Sequence, residues 1–305
     1  MLTAQDVKVP LDVPGEYTGE YVRNYLKITQ NSGRLLLFAG DQKIEHLNMD
    51  FYGEDIAPED SNPHHLFNIA SRSRVGVFAS QLGLIAKHGM DYRDVPYLVK
   101  LNSKTNLVKT KQEEPLSSSL YSIDDVVDFK CQSGLNILGI GYTFYIGSEH
   151  ESEMLTQAAQ AVHQAHRHGL IAVIWAYARG EAVQNERDPK IIAGAAGVAS
   201  AIGADFAKVN CPEVDGHQSA EALNIAVKAA GNTQVVCSGG SQKDPEQFLH
   251  SLHDQIHIGG ASGNGTGRNI HQKNFDDAVN FINAIHAVVI DNKSVSEAME
   301  VYHAQ

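Results

Sequence analysis

Residues 204–210 read ADFAKVN, a short apolar run with one lysine, Lys208, near its C-terminal end. Strand alternation puts Phe206, Lys208 and Asn210 on one face and Asp205, Ala207 and Val209 on the other. A buried ammonium is costly unless paired. A lysine near the end of an interior strand is therefore either satisfied by a carboxylate or held there for chemistry. Desolvation and cationic neighbours favour the neutral amine, which can attack a carbonyl. On this stretch alone both readings stay open.

The surroundings of the lysine strand repeat in both directions. IIAGAAGVASAIG (191–203) precedes it as an alanine-rich helix stopped by Gly203, and SAEALNIAVKAAG (219–231) follows as another helix with a glycine stop. Upstream lie strand five, IAVIWAY (171–177), and strand four, ILGIGYTFY (137–145). The long amphipathic helix within 147–169 separates them, and the loop ARGEAVQNERDP (178–189) follows strand five. Strand three is YLVKLN (97–102), with a polar loop to Pro115 and a helix capped by Ser122. Strand two is VGVFA (75–79), and strand one is LLLFAG (35–40), followed at once by Asp41 and a polar loop. Downstream, QVVCS (234–238) is strand seven, with Gly239 and Gly240 directly after it. DPEQFLHSLHD (244–254) reads as a helix, Ile256–Ile258 as a short strand eight, and GGASGNGTGRN (259–269) as a glycine-rich loop. Residues 270–289 supply the eighth helix. Strand and helix signals in strict alternation imply a parallel sheet with right-handed crossovers. Eight such units in 305 residues predict one α/β domain, a closed (β/α)8 TIM barrel. The barrel is expected to span residues 34–305, with residues 1–33 as an N-terminal preamble packing on it.

Composition narrows the function classes. A net charge of -12 with no Lys/Arg-rich block argues against a nucleic-acid partner. There is no apolar run of membrane-spanning length and no signal-peptide pattern at the start of the chain. Cys131, Cys211 and Cys237 are odd in number and far apart, which fits reduced thiols and a cytoplasmic location better than a disulfide framework or zinc knuckle.

In barrels of this kind chemistry sits at the C-terminal strand ends. Those ends carry Asp41 (strand one), Lys100 and Asn102 (strand three), Trp175 and Tyr177 (strand five), and Lys208 and Asn210 (strand six). Each has a structural alternative: core filler for Trp175, a turn cap for Asp41, an ion-pair partner for Lys100. Convergence of all of them on one mouth favours function. A second set, Ser238-Gly239-Gly240 and Gly259 to Arg268, fits a phosphate site. Glycines let backbone N–H groups approach an anion, a helix N-terminus adds its dipole, and Arg268 can clamp the charge. GNGTGRN (263–269) is neither a Walker loop nor a dinucleotide fingerprint, and a flexible turn is the alternative. Among the 15 histidines, His163 and His166 share a helix face, expected to be a solvated stripe. His46 lies in the loop after strand one, and His257 on the expected strand eight.

The motifs GDQKIEH (40–46), YLVKLN (97–102), YIGSE (145–149), WAYARG (175–180), GADFAKVN (203–210), SGG (238–240) and GTGRNI (265–270) resemble those of archaeal-type, DhnA-like class I fructose-1,6-bisphosphate aldolases, in order and over the whole barrel. The resemblance implies a lyase that needs no cofactor or metal, acts on a phosphorylated sugar in glycolysis or gluconeogenesis, and forms a ring-based homo-oligomer, often a decamer. It implies that Lys208 is the Schiff-base lysine, Tyr177 the proton-transfer residue, Trp175 its aromatic neighbour and Asp41 the residue orienting substrate hydroxyls. Ser238, Gly239, Gly240, Gly267 and Arg268 would hold the dihydroxyacetone-phosphate end. Arg179 is the candidate for the second phosphate, and Lys100 is a further candidate for substrate or phosphate binding that, if interior, also adds a like charge favouring the neutral amine of Lys208. Lys43 departs from the family's usual DQG, and the last loop is more polar than usual. Alternatives within the family are an aminodideoxy-heptulosonate synthase type and, with less support, a thiolase. From other classes come a metal-dependent aldolase, using His46 and His257, and a non-catalytic sugar-phosphate-binding barrel.

Overall fold

In the computed structural model, which describes residues 1–45, 50–105, 107–108 and 114–304, eight parallel strands close into a barrel in chain order. They are β1 (Leu35–Ala39), β2 (Val77–Gln81), β3 (Tyr97–Lys100), β4 (Ile137–Ile146), β5 (Ile171–Ala178), β6 (Phe206–Val209), β7 (Gln234–Ser238) and β8 (Gly263–Thr266). The ring closes where Leu35 of β1 pairs with Gly263 of β8. Helix α1 (Thr18–Ile28) precedes the barrel. The crossovers are α2 (Pro63–Arg72), α3 (Leu82–His88), α4 (Ile123–Ser133), α5 (Glu151–Arg167), α6 (Pro189–Ala201), α7 (Ala220–Ala230) and α8 (Pro245–His257). After β8 come α9 (Phe275–Val289) and α10 (Val295–His303).

Burial on both faces explains the near-continuous apolar strands. Leu35, Leu37, Val77, Leu98, Val173, Phe206 and Val236 form the inner cluster. Leu36, Phe38, Phe78, Val99, Ile174, Ala207 and Val235 pack outward against the helices. Local signals start the helices where the sequence indicates. Asn62, Asp188 and Asp244, each followed by proline, accept hydrogen bonds from the first-turn N–H groups of α2, α6 and α8. Ser122 and Asp125 form a capping box on α4, and Gly134 ends it at φ 64°.

The N-terminal residues lie across the N-terminal end of the barrel. Tyr21 donates from Oη to Asp205 Oδ1 at 2.5 Å, and Asn24 Nδ2 donates to the Gly169 carbonyl at 2.8 Å. The Tyr25 ring stacks on Phe206 at 5.9 Å between centroids. His166 is fully buried there, with Nδ1 2.9 Å from Asp12 Oδ1 and Nε2 3.2 Å from Asp205 Oδ2. This corrects the expectation of a solvated stripe: His163 is exposed, but the preamble covers the neighbouring turn of α5.

Other expectations shift. Strand eight is not Ile256–Ile258; residues 245–257 are helical throughout, and His257 ends α8 on the outside. Ile256 is the last buried residue of that amphipathic helix. The strand is GNGT, inside the stretch read as loop, and carries no apolar side chain to signal it. Strand two begins two residues later than expected and ends in buried Ser80 and Gln81. The loop after strand one starts as a short helix, Gln42–Glu45, where Lys43 Nζ donates to the Asp60 and Ser61 carbonyls. Helix α10, capped by Ser294 and Glu297, is an element beyond the eight strand–helix units. No helix among the described residues is long and apolar enough to cross a membrane.

Candidate active site

Register carries the lysine to its place. Lys208 pairs with Trp175 across β5 and β6, and with Val236 across β6 and β7. It therefore shares the inward face with Phe206 below it and stands one layer nearer the C-terminal mouth. Its side chain is buried, with Nζ 4.9 Å from the Trp175 ring centroid. Two glycines make the room. A Cβ at Gly265 would sit 3.0 Å from both Cδ and Cε of Lys208, and one at Gly141 would strike the outer edge of the Trp175 indole.

Around this lysine the C-terminal strand ends form one open cavity. Asp41, Trp175, Tyr177, Arg179, Lys208, Ser238, Gly239, Gly240, Gly267 and Arg268 all line it. Asp41 is buried, its loop fixed by Gln81 Nε2, which donates to the Asp41 carbonyl at 2.8 Å. Tyr177 is half-buried and pairs in register with Tyr145. The Arg179 guanidinium lies 5.4 Å from the Tyr145 ring and 6.0 Å from the Tyr177 ring, with Nε 3.9 Å from Glu186 Oε1.

On the β7–β8 side, Ser238 donates to Asn210 Oδ1 at 2.7 Å. Asn269 braces the two loops: its Nδ2 reaches the Gly239 and Ser241 carbonyls, and its Oδ1 accepts from the Lys243 N–H. The glycines there are forced by close approach, since a Cβ at Gly239 would overlap Thr266 and one at Gly267 would meet Gln42 and the Ala39 carbonyl. The helix behind, Arg268–His271, is a single turn, so full charge on this side comes from Arg268, whose Nη1 is 3.8 Å from Asp50. Next to Asn210 and Ser238 in the chain are Cys211 and Cys237, both buried. Hydrogen bonding from Cys237 holds the Cys211 thiol below its ordinary pKa, while that contact and burial push Cys237 up.

Lys100 stands apart. It is buried on the inner face that it shares with Leu98, but it does not line the cavity. Its Nζ donates to the Asn102 carbonyl at 2.8 Å and Oδ1 at 3.1 Å, and lies 5.4 Å from the Trp175 ring. Asn102 in turn ties β3 to Ser117 and Thr143. Direct substrate contact by Lys100 therefore does not follow from its position. His46 lies outside the described residues, and no group of three metal-ligating side chains occurs among those described. Gln42, Glu186 and Arg187 line the cavity without having been singled out from the sequence. The signal for the last two was their place in a charged loop directly after a barrel strand.

A family model described as DeoC/LacD family aldolase matches residues 35–273. The chain is 55% identical over 302 residues to a Methanocaldococcus jannaschii protein named fructose-bisphosphate aldolase/6-deoxy-5-ketofructose 1-phosphate synthase, covering 99% of this chain and 96% of that one. It is 35% identical over 268 residues to fructose-bisphosphate aldolase class 1 of Halobacterium salinarum, covering 88% and 94%. Among solved structures it superposes at a TM-score of 0.95 and 53% identity on fructose-bisphosphate aldolase from Slackia heliotrinireducens, with 99% and 95% coverage. An archaeal fructose-1,6-bisphosphate aldolase with its catalytic lysine covalently bound to the carbinolamine intermediate superposes at 0.75 and 30% identity, with 88% and 99% coverage.

Proposed function

The chain belongs to the DeoC/LacD family of aldolases, and from that premise we propose that it is a class I, Schiff-base aldolase that cleaves and forms fructose 1,6-bisphosphate. The three-carbon partners are dihydroxyacetone phosphate and glyceraldehyde 3-phosphate. The observation that carries the reading is a buried lysine at a barrel-strand end, opening into a cavity with a tyrosine, an aspartate and a glycine–arginine anion site.

Lys208 Nζ adds to the C2 ketone and, with loss of water, forms an iminium that accepts the electron pair of the C3–C4 bond. Tyr177 takes the C4 hydroxyl proton as that bond breaks, and returns a proton to C3 of the enamine after the aldehyde leaves. Asp41 orients the hydroxyls and the carbinolamine proton. Trp175 walls the lysine, and Lys100, held by Asn102 outside the cavity, acts near the indole rather than on substrate. Ser238, Gly239, Gly240, Gly267 and Arg268 hold the C1 phosphate, and Arg179 faces the other end of the sugar. A second reading, synthesis of 6-deoxy-5-ketofructose 1-phosphate, is carried by the name of the M. jannaschii relative. A product with one phosphate would leave the Arg179 side without an anion. The reading extends to a cytoplasmic homo-oligomer, in keeping with an acidic chain whose cysteines are free; light scattering after size exclusion tests the assembly.

The deciding experiment is incubation with dihydroxyacetone phosphate, borohydride reduction and mass mapping, with and without EDTA. An adduct on Lys208 that is indifferent to EDTA is expected. No adduct together with EDTA-sensitive cleavage would refute the lysine mechanism.

A further inference from the structure

A ketose bisphosphate attacked at C2 needs two anion sites with the lysine between them, and strand order supplies that arrangement. Lys208 on β6 has β7 and β8, with Gly239, Gly240 and Arg268, on one side. On the other is the loop after β5, with Arg179 and Arg187. Of these two arginines, Arg179 lies near two tyrosine rings with Glu186 at 3.9 Å and is the one assigned above to the far end of the sugar. Arg187 is held differently. Its N–H donates to Asn185 Oδ1 at 2.9 Å, and its carbonyl accepts from the Glu213 N–H at 2.9 Å. Its guanidinium Nη1 pairs with the Glu213 carboxylate.

Glu213 begins a small hairpin, Glu213–Val214 with His217–Gln218, that directly follows the lysine strand. The backbone of Arg187 is thus fixed over the junction of β5 and β6, while its side chain stays 35% exposed at the cavity wall. With 35% and 28% of the two side chains exposed, solvent reaches and partly screens the pair. A phosphate dianion offers the planar guanidinium fork a stronger, bidentate partner.

Resting on the aldolase reading above, we propose that Arg187 is a specificity residue that exchanges Glu213 for the phosphate of the aldehyde half. It would thereby select phosphorylated over uncharged aldehydes. The test is synthesis from dihydroxyacetone phosphate with either glyceraldehyde 3-phosphate or glyceraldehyde. Arg187→Gln is expected to raise KM for glyceraldehyde 3-phosphate about 10- to 100-fold, the size of a lost charged hydrogen-bond pair. The kcat/KM for glyceraldehyde and borohydride trapping of dihydroxyacetone phosphate stay within about twofold of the unmodified enzyme. Glu213→Gln, which removes the competing carboxylate, is expected not to raise that KM. An unchanged KM in Arg187→Gln, or equal losses with both aldehydes in both variants, would mean the pair is only structural. Absence of a trapped adduct in the unmodified protein would instead overturn the aldolase reading, and this inference with it.

Discussion

A methyl group at position 265 would sit 3.0 Å from two carbons of the Lys208 side chain, a distance that one of them must yield. Gly265→Ala is therefore expected to displace the amine while leaving the barrel folded. The result should be a fall in kcat on the order of 100-fold, since small misplacements of a reacting group cost about that much. Slowed borohydride trapping with a retained circular dichroism spectrum would be the matching observation. Tyr177→Phe separates two steps of the proposed chemistry. Its adduct with dihydroxyacetone phosphate should form normally, while cleavage turnover drops by about 100-fold or more. Unchanged turnover would remove the tyrosine from the mechanism. At this scale the sequence was informative: parity put Trp175 with Tyr177 on one face of strand five and Lys208 with Asn210 on one face of strand six. It could not show that Lys100, though interior, would stay out of the cavity, because Asn102 captures its ammonium.

Between elements, the joint most exposed to test is the contact of the N-terminal residues with α5 and β6. Asp205 accepts from Tyr21 Oη and from the Ala172 N–H, and lies against His166 Nε2. Asp205→Ala would strand those donors in the interior and is expected to cost about 3 kcal/mol of stability, measurable by urea unfolding. The lysine-trapping reaction at the opposite end of the barrel should persist at temperatures where the variant stays folded. An Ala at Ser122, by contrast, removes one capping box and should cost about 1 kcal/mol. The caps were plain in the sequence because each is a local pattern of Ser, Asn or Asp with its first turn. The Asp205 joint was not, since its members are far apart in the chain.

For the whole molecule, two buried histidines set opposite pH slopes. Burial alone would lower the pKa of His166, but Asp205 and Asp12 more than offset it and hold the group above its ordinary value. Its stabilisation is therefore present below about pH 6.5 and lost as pH rises through the raised value. Burial pushes His286 down to about 4, helped by Arg74 and opposed by Asp291. Its contribution is present above about pH 6.5 and fades as pH falls through about 4. Urea midpoints across pH 4 to 9 should decline on both sides, and His166→Gln should flatten the alkaline limb only.

The sequence by itself determined the alternation that closes as a barrel, because apolar runs buried on two faces have few other ways to close, and it determined which residues of one strand share a face, because strand parity is local. Only the tertiary structure decided the rest. GNGT becomes β8 through backbone pairing with β1 and β7, not through apolar side chains of its own. His166 is interior because a preamble more than a hundred residues away covers it, and Arg187 reaches the cavity because a hairpin after β6 holds it there. Such contacts are made between distant segments, and no local pattern of residues records them.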